Sequence, residues 1–356
     1  MTKRDERNSN FELLRIISMF LIVVHHFSVH GNFDTRDVFS YEKIALDILY
    51  IGGKLGVNIF VMIGAYFLVG KSFKWRRPVG VLIDMLVYNW GLFVVILLFR
   101  PNILTAERIY QMLVPFPNYY WFPTNYILLL MLTPVLNYFI RRVSELTLRY
   151  TLILLTVIWV FVPSLELTGI GYSDLSWFVY LYLLVAYIKL YPNVILNSPT
   201  FAKRLFWLSM TLTVVSILYF NAIGIVLPDK LAYGTFFLGS NKILTVGNSL
   251  GLWLWFKNRK PFSNHLINIT AQAMFGVYLI HEQPLMRHII WYHVDNSRVQ
   301  GFWAMIAYGL IASAVVFVGC TLIDMLKNAI LNPTLNKLSL WIEEKLNNSL
   351  GLYIEV

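Results

Sequence analysis

The stretch FELLRIISMFLIVVHHFSVHG, residues 11–31, decides how the chain is read. It is apolar over about 20 residues, the length that crosses the hydrocarbon core of a bilayer. Yet it carries Glu12 and Arg15 near one end and two adjacent histidines, His25 and His26, near the other. The rest of the chain sets the scale for that oddity. Of 356 residues, 58% are hydrophobic, 16% aromatic and 13% charged, with a mean hydropathy of +0.62. A soluble domain carries about 25% charged residues. Helices with this composition are apolar all round, which suits lipid rather than water.

The chain is therefore expected to be all-α, a polytopic integral membrane protein with about ten transmembrane helices. Ten apolar runs satisfy the length requirement: 11–29, 45–69, 79–99, 121–140, 149–163, 175–190, 205–224, 240–256, 269–291 and 301–325. The first has no small-residue cleavage site after it and reads as a retained span. Lys3, Arg4 and Arg7 precede span one, and basic segments follow every even-numbered span: KSFKWRR, RRVSELTLR, the run ending AKR, KNRK and Lys327. The alternate connectors are mixed or acidic. The positive-inside rule then places both termini in the cytoplasm; the protein is expected in the cell (plasma) membrane. Residues 1–326 form the ten-helix unit. Residues 327–356, including NKLSLWIEEKLNN, read as an amphipathic tail along the cytoplasmic interface.

Composition also excludes. A single cysteine, Cys320, allows no disulfide framework and no Cys-based metal site in a monomer. The net charge of +10 comes with no basic, aromatic-interleaved module for nucleic acid. A histidine metal centre needs three or four converging ligands, and no H-x3-H pair falls within the spans as drawn, so no metal is expected.

On a helix, Glu12 and Arg15 are one turn apart and Arg15 and His26 are about three turns apart, so the three share a face. Arg15 and His26 are then separated by about 16 Å along the axis. The plain reading makes Arg15 a snorkelling anchor with Glu12 as counter-ion, and His26 a packing residue, the role given to His25. Ionisable groups within a span cost about 2.5–3.5 kcal/mol each on insertion scales, and three on one face ask for a function. Imidazole, with an ordinary pKa of about 6.5, can take a proton at neutral pH and serve as a general base. His281 and Glu282 lie at a depth in span nine comparable to that of His26, so His281 could share its cavity, orienting an acceptor, relaying a proton or serving structure alone. Glu282 and Arg287 read as a polar pair at the outer end; His288 and His293 read as interfacial.

At these residues the chain resembles the acyltransferase family 3 membrane proteins. Their first span carries an acid, two residues, an arginine, ten residues and a histidine, and Glu12, Arg15 and His26 match position by position. The likeness continues in GVNIFVMIGAYF (56–67), KWRR (74–77), YYWF (119–122) and VYLIH (277–281). The chain departs where the family has serine and then glycine in the second span, with Gly64 and Ala65 instead, and where a phenylalanine pair is reduced to Phe60-Val61. The resemblance implies transfer of an acyl group, usually acetyl from acetyl-CoA, to a sugar hydroxyl of an envelope glycan such as capsule or exopolysaccharide. It puts His26, Glu12 and Arg15 at the catalytic centre. Arg15, Lys74, Arg76 and Arg77 could hold the phosphates of the acyl-CoA. Asn58, Tyr119, Tyr120, Trp121, His281 and Glu282 are the candidates for acceptor contacts or oxyanion donors.

Two other functions compete. A transporter or flippase for lipid-linked sugars or acyl carriers would use the same polar residues as a path, but the halves show no inverted repeat. A glycan polymerase would call for a large charged external loop, and the external connectors are modest. Under the acyltransferase reading, the acceptor is either acylated directly or through a separate extracytoplasmic partner protein. Acceptor identity, acetyl against succinyl, and homo-oligomerisation are left open.

Overall fold

A helix leaves four amide donors unpaired at its start, and this chain supplies a capping side chain at many of its helix starts. In the computed structural model, which describes residues 8–31, 38–113, 120–166 and 171–350, Asn8 caps α1 (Ser9–His30) and Ser40 caps α2 (Tyr41–Tyr50). Then follow α3 (Gly52–Leu68), α4 (Arg76–Phe99), α5 (Ala106–Leu113) and α6 (Trp121–Arg142). Ser144 caps α7 (Glu145–Thr156), which passes through a wide turn at Val157–Phe161 into α8 (Val162–Ser164). Ser173 caps α9 (Asp174–Leu190) and Ser198 caps α10 (Pro199–Gly224). The chain continues through α11 (Ile243–Lys257), α12 (His265–Thr270), α13 (Met274–His281), α14 (Pro284–Tyr292) and α15 (Phe302–Leu350). No strand occurs among the described residues.

Seven helical stretches are long and apolar enough to cross a membrane: Ser9–His30, Tyr41–Leu68, Arg76–Phe99, Trp121–Arg142, Glu145–Ser164, Pro199–Gly224 and Phe302–Ser349. The other three expected spans take different forms. Two are the shorter helices α9 and α11, of 17 and 15 residues. The stretch 269–291 is not one span but breaks between His281 and Pro284. Proline has no amide proton and suits the first turn of a new helix. The Gln283 side chain caps that turn, accepting from the amides of Leu285 and Met286. α15 runs without interruption through residues 326–327, where the sequence suggested a change from membrane unit to tail.

α1 is the central post and touches α2, α3, α11, α12, α13, α14 and α15. Its contact with α3 depends on glycine. A Cβ added at Gly52, Gly53 or Gly56 would run into the Leu21 carbonyl, the His25 ring or the Ser18 carbonyl. His25, whose ring lies against Gly53, donates Nδ1–H to the carbonyl of Tyr50 at the end of α2, 3.0 Å away. Overfilling a packed contact costs about 1–3 kcal/mol. Gly53→Val is accordingly expected to lower the thermal midpoint of the detergent-solubilised protein by several degrees and to reduce its monodisperse fraction. An unchanged midpoint would show that the seam has slack. The outer helices, by contrast, turn large apolar side chains outward: Leu98 and Phe99 on α4, Leu154 on α7, Leu208 on α10, Val315 and Leu322 on α15. A patch of this extent fits lipid.

The connectors after the even-numbered expected spans meet at one end of the bundle. Ser9 donates its amide to Phe262 at 2.7 Å, and Asn258 donates Nδ2 to the Leu196 carbonyl at 2.9 Å. Asn137 accepts from Gly70, Tyr187 reaches Glu145, and the Arg76 amide reaches Glu343. The N-terminal end of α1 with Arg15 lies here. At the opposite end are the C-terminus of α1, α5 and α14, and the Glu42 carboxylate, which accepts from the Gly301 amide.

Candidate active site

α1 extends one residue past the span drawn from sequence, to His30, and is closed there by the Gly31 amide bonding to the Phe27 carbonyl at 3.2 Å. His26 and His30 are thus an H-x3-H pair one turn apart, which corrects the expectation that no such pair lies within a span. Opposite them, the break before Pro284 ends α13 so that His281 and Glu282 point at α1. His281 is fully buried and Glu282 is 5% exposed. His26 Nδ1 is 2.8 Å from His281 Nε2. Glu282 Oε1 is 3.3 Å from His26 Nδ1 and 3.2 Å from His30 Nε2, and Arg287 Nη1 stands 3.8 Å from Glu282 Oε2. Three residues from two distant parts of the sequence, His26, His281 and Glu282, are brought into one cluster, and His30 joins them.

For neutral rings, hydrogen bonding selects one pair of tautomers. His281 Nδ1 is 2.5 Å from the Val277 carbonyl, and a carbonyl can only accept, so His281 carries its proton on Nδ1. A neutral His281 then offers a lone pair at Nε2. The 2.8 Å contact requires His26 to donate from Nδ1. The lone pair of a neutral His26 is left on Nε2. Glu282 lies where it can balance a positive charge on this ring. The donor atoms of His26, His30 and Glu282 also fall within 4.8 Å of one another, a spacing compatible with three metal ligands.

The remaining candidates occupy other places. Tyr120 is fully buried and donates its hydroxyl to the Leu279 carbonyl at 2.6 Å, which ties the start of α6 to α13 two residues before His281. Trp121 lies under the Lys54 ammonium, 4.0 Å from its ring centre. Asn58 is buried in a helix-to-helix tie: Nδ2 donates to the Ser240 carbonyl at 2.8 Å and Oδ1 accepts from Trp177 Nε1 at 2.8 Å. Tyr119 lies outside the described residues. At the other end of α1, Arg15 Nη1 bonds Glu12 Oε2 at 3.0 Å and the guanidinium sits 5.8 Å from the centre of the Phe60 ring. Lys74 and Arg76 are exposed near the start of α4; the partly buried Arg77 donates to the Ser72 carbonyl at 2.8 Å. A side chain at Gly64 would run into the Tyr126 hydroxyl, so serine at this position would need Tyr126 to give way.

His30 is the residue the sequence reading passed over. Its signal was visible as H-x3-H, but it falls one residue beyond an apolar boundary placed at 29. The tie from Tyr120 to Leu279 had no sequence signal, because it depends on which helix lies against α6.

Residues 8–325, which include α1 through most of the apolar part of α15, match the family model described as an acyltransferase domain. No curated protein and no solved structure matches the chain significantly. A match over that span, with the first-span acid, arginine and histidine on one helix face, is decisive for the family: the chain belongs to the acyltransferase 3 family of multi-pass membrane acyltransferases.

Proposed function

We propose that the protein resides in the cell (plasma) membrane with about ten spans and both termini inside. There it moves an acyl group, acetyl as first choice, from cytoplasmic acyl-CoA to a hydroxyl of a cell-surface polysaccharide. The observation that carries this reading is the 2.8 Å contact between His26 Nδ1 and His281 Nε2. His26 Nδ1 is committed to His281, which is itself held by the Val277 carbonyl, and this leaves Nε2 as the base. In the reaction, Nε2 takes the proton of the acceptor hydroxyl as its oxygen attacks the thioester carbonyl. The C–S bond then breaks, and the coenzyme A thiolate takes a proton back from His26. An ester and free coenzyme A result.

Glu282, facing His26 at 3.3 Å, offsets the imidazolium that exists between the two proton transfers. The donor enters from the end where Arg15, Lys74, Arg76 and Arg77 gather and can bond its phosphates. From Arg15 to His26 the helix rises about 16 Å, close to half the thickness of a bilayer core, a distance a pantetheine arm can span. A metal ion on His26, His30 and Glu282 would occupy groups that this reading uses for proton transfer and charge balance, so the two are alternatives.

The test is the alkali-labile acetyl content of the surface glycan with and without the gene. Loss of esters at unchanged glycan abundance is expected. Disappearance of the glycan, with any remainder still esterified, would assign the protein to sugar transport or polymerisation.

A further inference from the structure

Outside the histidine cluster, at the C-terminal end of α1, lies a cavity of about 530 Å³. Its walls include His30, Arg108 from α5, and Arg287, His288, Trp291 and Tyr292 from α14. No carboxylate is among the described residues that line it. Arg108 donates one N–H, from Nη1, to the Ile103 carbonyl at 2.6 Å, and a guanidinium has five such donors. Arg287 stands 3.8 Å from Glu282, beyond hydrogen-bond length. Glu282 does not line the cavity; its Oε1 faces His26 and His30 and its Oε2 faces Arg287. Two permanent cations, both partly buried, therefore line one concave space: Arg287 is within ion-pair reach of Glu282, while Arg108 has no ion pair among the described residues. Positive charge gathered on a concave, partly desolvated wall that has no carboxylate among its described residues makes an anion the favoured occupant. Beside them, Tyr292 is 73% exposed and stacks in parallel on His288, with ring centres 5.9 Å apart. This forms a flat aromatic platform whose negative face attracts the C–H face of a sugar ring.

We propose that this cavity is the acceptor site and that the acceptor is an anionic glycan, its carboxylate or phosphate held by Arg108 and Arg287 and a sugar ring laid on Tyr292. The proposal rests on the acyl-transfer reading above. His30 links the two: it lines the cavity and its ring centre is 5.4 Å from that of His26. A sugar bound by its charge in the cavity thus presents a neighbouring hydroxyl toward the base.

The experiment uses the full chain in lipid nanodiscs and three tetrasaccharide probes of similar size: tetragalacturonate, maltotetraose carrying one phosphate, and neutral maltotetraose. Charge-assisted hydrogen bonds contribute about tenfold or more in affinity each. At least one anionic probe is expected to bind 10-fold or more tighter than the neutral one, less so at high salt. The better of the two identifies a carboxylate or a phosphate as the recognised group. Arg108→Gln removes the preference and Arg108→Lys keeps part of it, with Arg287→Gln as an independent second variant should Arg108→Gln not be monodisperse. Equal binding of all three probes, no binding of any, or a preference that survives the Arg→Gln changes overturns the proposal. Adding labelled acetyl-CoA separates it from the reading it rests on. Transfer to maltotetraose as readily as to the charged probes overturns the anionic acceptor alone. Anion-selective binding with no transfer to any probe leaves the cavity's selectivity standing and overturns the acyl-transfer reading.

Discussion

Replacing His26 by alanine is expected to lower acyl transfer by about 10²–10⁴-fold, the contribution of a positioned general base. The substitution removes Nε2, and no neighbouring nitrogen stands in its place. It also frees the lone pair of His281 Nε2, but that nitrogen stood against Nδ1 of the lost ring, not at the position of its Nε2, and the Val277 carbonyl holds His281 in place. His25 is turned away toward Tyr50. His30 faces Glu282 one turn further along. The measurement is acetyl ester formed per molecule of membrane-inserted enzyme, with labelled acetyl-CoA as donor. Insertion must be quantified in parallel, since α1 touches seven other helices and its loss of shape would spread through the bundle. Ester formation at the wild-type rate, with the variant inserted normally, would remove His26 from the chemistry.

Glu282→Gln carries the second large effect, and it tests a positioning and electrostatic role rather than contact with substrate. Glutamine has nearly the same shape, so packing is retained while the charge facing His26 and His30 is lost. At an effective dielectric of about 20, a full charge at this separation is worth about 5 kcal/mol before desolvation is counted. Desolvation and the competing contact with His30 consume much of that. A fall of roughly 10–100-fold in turnover corresponds to about 1.4–2.7 kcal/mol of lost transition-state stabilisation. A purely structural role would lower activity in any background. Charge stabilisation predicts a different pattern: once His26 is alanine, Glu282→Gln should cost nothing further, because no imidazolium forms. Additive losses in the double variant would show that Glu282 serves the fold alone.

Much of this protein was legible without coordinates. Composition and run length determined an all-helical membrane chain, because a bilayer demands about 20 apolar residues for each crossing helix. The face shared by Glu12, Arg15 and His26 followed from helix periodicity, and the family resemblance from the order of its motifs agreed with the match over residues 8–325. Local chemistry of this kind is periodic or ordered along the chain, so sequence carries it.

What tertiary structure alone decided is how distant segments meet. His26 and His281 are 255 residues apart and share a hydrogen bond, and His281 is itself held by the Val277 carbonyl on α13. The seven long apolar helices are supplemented by shorter ones and a broken span, a distinction hydropathy cannot draw because apolar residues fill straight and interrupted helices alike. The break at Pro284 turns Glu282 onto α1, and the length of α1 past residue 29 brings His30 to it. The sequence determined which groups were available and on which helix faces. Packing, through glycines that let α3 close onto α1 and a tyrosine that ties α6 to α13, determined which of them touch.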